Sequence, residues 1–148
     1  MEGTFYYDTK VEWKEGRTGN LFSEGFPDIR VATPPEFKGV SGIWTPEHLY
    51  VSSVNICLMT TFLAIAENFH LTFSNYSCEG RGKLERVEGK FMISEIELHP
   101  TITVDSERER KKALRVIEKS ENACLISNSI KTKVILTPEV LISEKSSE

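Results

Sequence analysis

Eighteen consecutive residues, Leu49 to Ala66, carry no charge, and the rest of the chain is patterned around that run. Thr45-Pro46 stands just before it, a hydroxyl able to cap orphan amides followed by proline at a first helical position. The pattern therefore predicts a helix from Pro46 that ends near Asn68–His70. A run of this length raises the question of a membrane span. Ser52, Ser53, Asn55, Thr60 and Thr61 interrupt it, no second such segment follows, and mean hydropathy is −0.27. A helix apolar almost all round is the signature of burial in protein, so the reading is a central core helix and no membrane partner.

Residues 4 to 33 read as strands. Thr4–Trp13 is aromatic and β-branched, Glu15-Gly16 signals a turn, Gly19–Ser23 is a second strand, and Asp28–Thr33 a third beyond the Gly25-Phe26-Pro27 break. Pro34–Gly42, with two prolines and two glycines, is an irregular connection. After the helix, Leu71–Cys78 and Lys83–Val87 are expected as strands on either side of Gly80-Arg81-Gly82, a turn or bulge signal. Ile96, Leu98, Pro100, Ile102 and Val104 then alternate at period two within Phe91–Val104, as a strand with one buried face requires. Phe91 and Ile93 are out of phase with that set, which places a bulge or bend near Ser94-Glu95. Pro100 implies an edge position or another irregularity.

Ser106-Glu107-Arg108-Glu109 matches a capping box that opens a second helix to about Asn122. Ala113, Leu114 and Ile117 share one of its faces, and Glu107 stands four residues before Lys111. Lys131–Leu136 is a last strand, and Ser143–Glu148 has the composition of a frayed tail. Runs of strands segregated from helices mean α+β rather than a βαβ-wound sheet. The organisation expected is one domain over residues 1–142, with a tail over 143–148.

Composition narrows the function classes. A chain of 148 residues is long enough for one sizeable core. Eighteen basic against 22 acidic residues, net charge −4, give no electrostatic drive towards nucleic acid. Met1-Glu2-Gly3-Thr4 lacks a basic region followed by an apolar run, so no signal peptide is expected and the localisation expected is cytoplasmic. Three cysteines without a C-x-x-C argue against a disulfide scaffold or a zinc site, and His48, His70 and His99 have no ligand spacing.

Cys57 lies in the middle of the uncharged helix and has two readings. Free cysteine commonly packs as a small hydrophobe. Against that, residues at helical spacing from it (Tyr50, Ser53, Val54, Thr60 and Thr61) make a smaller, more polar face than Leu58, Met59, Phe62 and Ile65 opposite, a face able to line a cleft or a close helix contact. Cys124 continues the second helix's apolar stripe, and Cys78 falls in a strand pattern.

Four segments in order, Gly16-Arg17-Thr18-Gly19, Thr45-Pro46-Glu47-His48-Leu49, the helix bearing Cys57, and Ala123-Cys124 with Ser127-Asn128-Ser129, resemble the OsmC/Ohr family of organic hydroperoxide reductases. The resemblance runs from about Trp13 to Leu136. It implies antiparallel sheets about a long buried central helix with a second amphipathic helix, and an intertwined homodimer with its sites at the interface. By that resemblance Cys57 is the peroxidatic cysteine, Cys124 the resolving cysteine, Arg17 the activating cation and Glu47 the carboxylate that holds it. The substrate implied is an organic hydroperoxide and the reductant an external dithiol of lipoyl type; no metal, flavin or other cofactor is required. Trp44, Phe22 and Met59 are candidates for an apolar substrate wall.

The chemistry accounts for these residue types. Only a thiolate attacks the O–O bond quickly, an ordinary cysteine (pKa ~8.5) is mostly protonated at neutral pH, and burial raises it further. Cys57 lies about 12 residues, ~18 Å, along the helix, beyond reach of its N-terminal dipole. A cation must come from elsewhere, and Arg17, permanently charged and able to grip a carboxylate with two bonds, suits the task. Glu47 and Cys57 are separated by a helical rise of ~15 Å, so an Arg17–Glu47 pair would reach Cys57 from another chain or across a folded-back hairpin. Two departures from the family pattern stand out: Leu125 follows Cys124 where proline is usual, and Ser53–Phe62 is richer in Ser, Asn and Thr than the Ohr branch. The rival expectation is an OsmC-like binding protein that uses an interface cavity for an apolar ligand or partner without turnover.

Overall fold

The computed structural model describes residues 3–143. They form two compact units, one ending at Leu49 and the other beginning at Tyr50. Most of the predicted 143–148 tail lies outside the described residues.

The N-terminal unit is an antiparallel meander of β1 (Lys10–Glu15), β2 (Thr18–Phe22) and β3 (Ile29–Ala32). The first strand is shorter than its aromatic composition suggests, since residues 4–9 pair with no strand. A two-residue turn, Gly16-Arg17, joins β1 to β2, and Gly16 takes φ 52°, a left-handed conformation that glycine adopts without a Cβ penalty. Thr18 Oγ1 donates to the Glu15 carbonyl (2.8 Å) and the Trp13 indole N–H to the Gly16 carbonyl (3.0 Å), pinning this turn on both sides. The 34–42 connection is irregular apart from a 3₁₀ turn at Pro35–Phe37.

Helix α1 (Pro46–Asn68) has the predicted bounds. Thr45 Oγ1 accepts from the His48 N–H (3.0 Å), the expected cap. At the far end His70 turns left-handed (φ 53°), with Leu71 N–H bonded to the Ala66 carbonyl (2.9 Å) and His70 N–H to that of Glu67 (3.1 Å), a Schellman closure. Within one chain the helix buries a single stripe, Val54, Cys57, Leu58, Phe62 and Ala66. Ile56, Met59 and Leu63, at spacings of three and four, remain 55%, 37% and 43% exposed. The all-round burial expected for this helix is thus not achieved inside one chain. By length and composition α1 is also the one described helix apolar enough to cross a membrane.

In the C-terminal unit β4 (Asn75–Val87) and β5 (Lys90–Val104) form a long antiparallel hairpin, and β6 (Lys133–Leu136) and β7 (Glu139–Ile142) both pair in parallel with β5. The sheet is therefore mixed rather than antiparallel. The crossover through α2 is what lets β6 follow β5 in the same direction. The alternation of β5 is as predicted, with Ile96, Leu98, Pro100, Ile102 and Val104 all buried. The bulge falls at Ser94, between the pairs Lys83–Glu95 and Leu84–Ile93. Pro100 is not at an edge. Its nitrogen faces the same side as the Leu98 carbonyl, which accepts from Thr137 N–H in the break between β6 and β7, so no ladder bond is lost. Strand β7 was not anticipated, because Pro138 obscures the short β-rich Glu-Val-Leu-Ile run behind it.

Gly80-Arg81-Gly82 is no turn; β4 runs straight through it. The glycines serve a close approach instead. A Cβ on Gly80 would stand 3.0 Å from Asn55 Nδ2, and one on Gly82 would collide with Val51 Cγ2, both on α1. The Asn55 amide donates to the Cys78 carbonyl (3.1 Å) across the same contact.

Helix α2 (Glu107–Ala123) begins at Ser106, whose hydroxyl accepts from the Glu109 N–H (3.2 Å). The capping box is not closed by its second bond: Glu109 Oε2 accepts from Thr72 N–H (3.0 Å) and ties the 71–74 connection to α2. Glu107 pairs with Arg110 (3.2 Å) rather than Lys111. Ala113, Val116 and Ile117 of α2 join Val54, Leu58 and Phe62 of α1 in one core against the buried face of β5.

Because Val51 is β-branched and stiff at χ1, it has little room to give way. Gly82→Ala is expected to lower unfolding free energy in urea by about 1–3 kcal/mol, and Val51→Ala in the same chain to recover most of it.

Candidate active site

Cys57 and Cys124, 67 positions apart, come together. α1 places Cys57 on its buried stripe, 8% exposed. α2 ends at Cys124, fully buried, and a one-turn helix, α3 (Leu125–Asn128), follows at once. Both thiols are free. Thr61, one turn on from Cys57, brings its hydroxyl to 3.9 Å from the sulfur, and Thr60 Oγ1 donates to the Cys57 carbonyl (3.2 Å).

The two sulfurs are electrostatically unequal. Burial pushes the Cys57 thiol up. Against it act the Cys124 thiol, the Ile126 amide, the Thr61 hydroxyl and the Leu125 amide, all stabilising a thiolate, and the net shift is downward. Burial raises Cys124, and the neighbouring Cys57 raises it further, with the hydroxyl and amide of Ser127 opposing. The first proton to leave the pair is therefore that of Cys57, with Cys124 donating to it. Cys78 differs from both: burial takes its thiol to about 11, beside a Tyr76 hydroxyl also pushed up by burial. It stays protonated and packs, as its strand position implied.

Arg17 and Glu47 belong to the N-terminal unit. Arg17 is exposed on the β1–β2 turn, at a cleft of about 450 Å³ whose walls include Val11, Trp13, Leu21, Val31 and Leu49. Glu47 sits in the first turn of α1, where its charge suits the helix dipole. One of its carboxylate oxygens, Oε1, is sealed from solvent with no hydrogen-bond partner. Among the described residues Arg17 and Glu47 form no ion pair.

The three candidate substrate-wall residues fall in different units, Trp44 and Phe22 in the first and Met59 in the second. Trp44 is exposed and meets His48 edge to face (centroids 6.4 Å), Phe22 lines a separate apolar hollow with Tyr6, Tyr7 and Phe26, and Met59 borders a small one with Ile56 and Cys78. The apolar residues beside Arg17 are Trp13 and its neighbours on the meander, which sequence reasoning passed over. Their alternation along β1 and β2 was the available signal. Also missed were the amides of Leu125 and Ile126, whose only signal was their place directly after Cys124. Among the described residues no three His, Cys, Asp or Glu side chains gather as metal ligands.

The pattern of the OsmC-like protein family matches residues 39–139. The chain belongs to the OsmC-like family. Glu47, Cys57 and Cys124 lie inside the matched region and Arg17 outside it. No curated protein matches the chain by sequence. Among solved structures, an OsmC-like protein of unknown function from Vibrio cholerae superposes with a TM-score of 0.82 at 20% identity, over 91% of this chain and 99% of its own. An organic hydroperoxide resistance protein OsmC from Legionella pneumophila gives 0.74 at 22% identity, over 95% and 100%. An organic hydroperoxide resistance protein from Elizabethkingia anophelis gives 0.76 at 20%, over 97% and 100%. At these identities the likeness is one of fold: the OsmC-like α+β architecture is shared.

Leu125 now acquires a physical meaning in this OsmC-like chain. It opens α3, where proline is tolerated, and Cys124 ahead of it (φ −66°, ψ 113°) already has a backbone suited to precede proline. Leu125→Pro should fold normally while deleting one amide that faces Cys57. Its expected effect is to move the pH midpoint of Cys57 alkylation by iodoacetamide upward, and an unmoved midpoint would deny that amide its role.

Proposed function

We propose that this OsmC-like protein is a thiol-dependent peroxidase that reduces organic hydroperoxides to alcohols. The observation that carries the reading is the meeting of Cys57 and Cys124 with opposite shifts in acidity. One thiol is prepared as nucleophile and the other, protonated beside it, as resolver. Cys57 thiolate attacks the peroxide oxygen, the O–O bond breaks, and the alkoxide leaves as alcohol after taking a proton, with Cys57 as sulfenic acid. Cys124 then condenses with it to a Cys57–Cys124 disulfide and water. An external dithiol, of lipoyl type by family resemblance, restores both thiols by exchange.

Arg17 and Glu47 enter this reading as the activating pair, supplied to Cys57 by a second copy of the chain in a cytoplasmic homodimer. One feature supports the dimer: the exposed stripe Ile56, Met59 and Leu63 on α1 is an apolar face left without cover among the described residues.

The test is to add one equivalent of cumene hydroperoxide to the reduced protein and map disulfides by mass spectrometry. A Cys57–Cys124 bond, absent in Cys57→Ser, is expected, and Arg17→Ala should slow peroxide consumption by about 10²-fold with the fold intact. A Cys57 thiol left unreacted would reject the peroxidase and leave the binding-protein reading. For the dimer, sedimentation velocity at micromolar concentration should give twice the chain mass, and Ile56→Glu with Leu63→Glu a single chain. A wild-type protein sedimenting as one chain would remove the shared site.

A further inference from the structure

Glu121 takes no part in the cycle above. It occupies the last turn of α2, where the helix dipole disfavours a carboxylate. Its Oε2 is sealed from solvent, and among the described residues it has no cation partner. Ser127 Oγ is sealed likewise, and among the described residues neither oxygen has a hydrogen-bond partner. The two groups nevertheless adjoin. The Ser127 hydroxyl opposes the upward shift of the Glu121 carboxyl on one side and of the Cys124 thiol on the other, and Cys57 in turn acts on Cys124. Burial holds the Glu121 carboxyl above its usual range, with Ser127 opposing, so it binds a proton more readily than a surface glutamate.

The corner that carries these groups is tightly bonded. Cys124 N–H donates to the Glu121 carbonyl (3.3 Å), Asn128 N–H to the Cys124 carbonyl (3.0 Å), and the Ser129 hydroxyl to the Leu125 carbonyl (2.7 Å). Glu121 and Ser127 thus stand three residues before and three after the resolving cysteine on a backbone that cannot easily drift. A hydroxyl can accept from a thiol while donating to a carboxylate, the polarity a proton relay needs.

We propose that Glu121, acting through the Ser127 hydroxyl, is the positioning base that takes the Cys124 proton in the resolving step. The inference rests on the peroxidase reading and extends it to the second chemical step. As the Cys124 S–H bond breaks, its proton passes to Ser127 Oγ and the Ser127 proton to the Glu121 carboxylate. The Cys124 thiolate attacks the Cys57 sulfur, an S–S bond forms, and the S–O bond of the sulfenic acid breaks. The departing hydroxide takes up a proton and leaves as water, and Glu121 returns its proton to solvent. Cys57 sulfur is reduced by the electrons that oxidise Cys124, and no further reagent is consumed. Burial raises the Cys124 thiol, so this step lacks a thiolate at neutral pH unless a base supplies one.

The test separates the two steps in the full-length protein by rapid quench after one equivalent of cumene hydroperoxide. Dimedone traps Cys57 sulfenic acid, and mass spectrometry counts disulfide. In Glu121→Gln, sulfenic acid should form at the wild-type rate while disulfide forms about 10²-fold more slowly, with sulfinic acid accumulating at Cys57 under excess peroxide. Ser127→Ala should behave alike, and Glu121→Asp should recover part of the rate, which a merely structural role would not do. Disulfide at the wild-type rate in Glu121→Gln and Ser127→Ala overturns the relay and leaves the peroxidase standing. A wild-type protein that forms neither sulfenic acid nor disulfide overturns both.

Discussion

The depth at which α1 settles on β4 governs the rest of the structure. Gly80 and Gly82 remove the side chains that would hold the helix off, and Asn55 bonds the Cys78 carbonyl across the gap. Seated there, α1 presents Val54, Leu58 and Phe62 to β5 and α2. Cys57, on that same stripe, is brought to the point where α2 runs out. A helix lifted by one methyl layer would loosen the core and part the two sulfurs together. Packing in an interior this dense is shared between stability and site geometry.

The electrostatics of the pair follow from where α2 ends. Sequence reasoning held that Cys57 lies too far along α1 to feel its N-terminus, so a cation was needed. The distance argument holds for α1, but the donors at hand belong to the turn after Cys124: the amides of Leu125 and Ile126, with the Cys124 thiol itself. Several weak donors together outweigh burial, and an arginine would add to a thiol already inclined to ionise. The departure from the family pattern at Leu125 adds a donor, since proline has no N–H.

The apolar stripe of α1 is left without cover among the described residues, and the proposed second copy supplies it. Four sealed polar atoms among those residues lack a hydrogen-bond partner: Glu47 Oε1, the Tyr76 hydroxyl, Glu121 Oε2 and Ser127 Oγ. Two of these atoms, on Glu121 and Ser127, stand three residues before and three after Cys124. Buried polar groups are nearly always paired, so each of these calls for a physical explanation.

The sequence by itself determined the elements whose signals are local. Thr45-Pro46 set the start of α1, period-two alternation set the buried face of β5, the phase break set the bulge at Ser94, and Ser106 capped α2. It also singled out Cys57 and Cys124, through family resemblance rather than spacing. Only tertiary structure decided what depends on which surfaces meet. Gly80-Arg81-Gly82 reads as a turn until α1 is seen lying on it, and Pro100 reads as an edge until β6 and β7 leave a break opposite its nitrogen. The parallel pairing of β6 and β7 depends on a crossover no local pattern encodes. The unequal acidity of the two thiols could not be read from the chain at all. It arises from desolvation and a few hydrogen bonds between residues 67 positions apart, and those terms exist only once the chain has closed on itself.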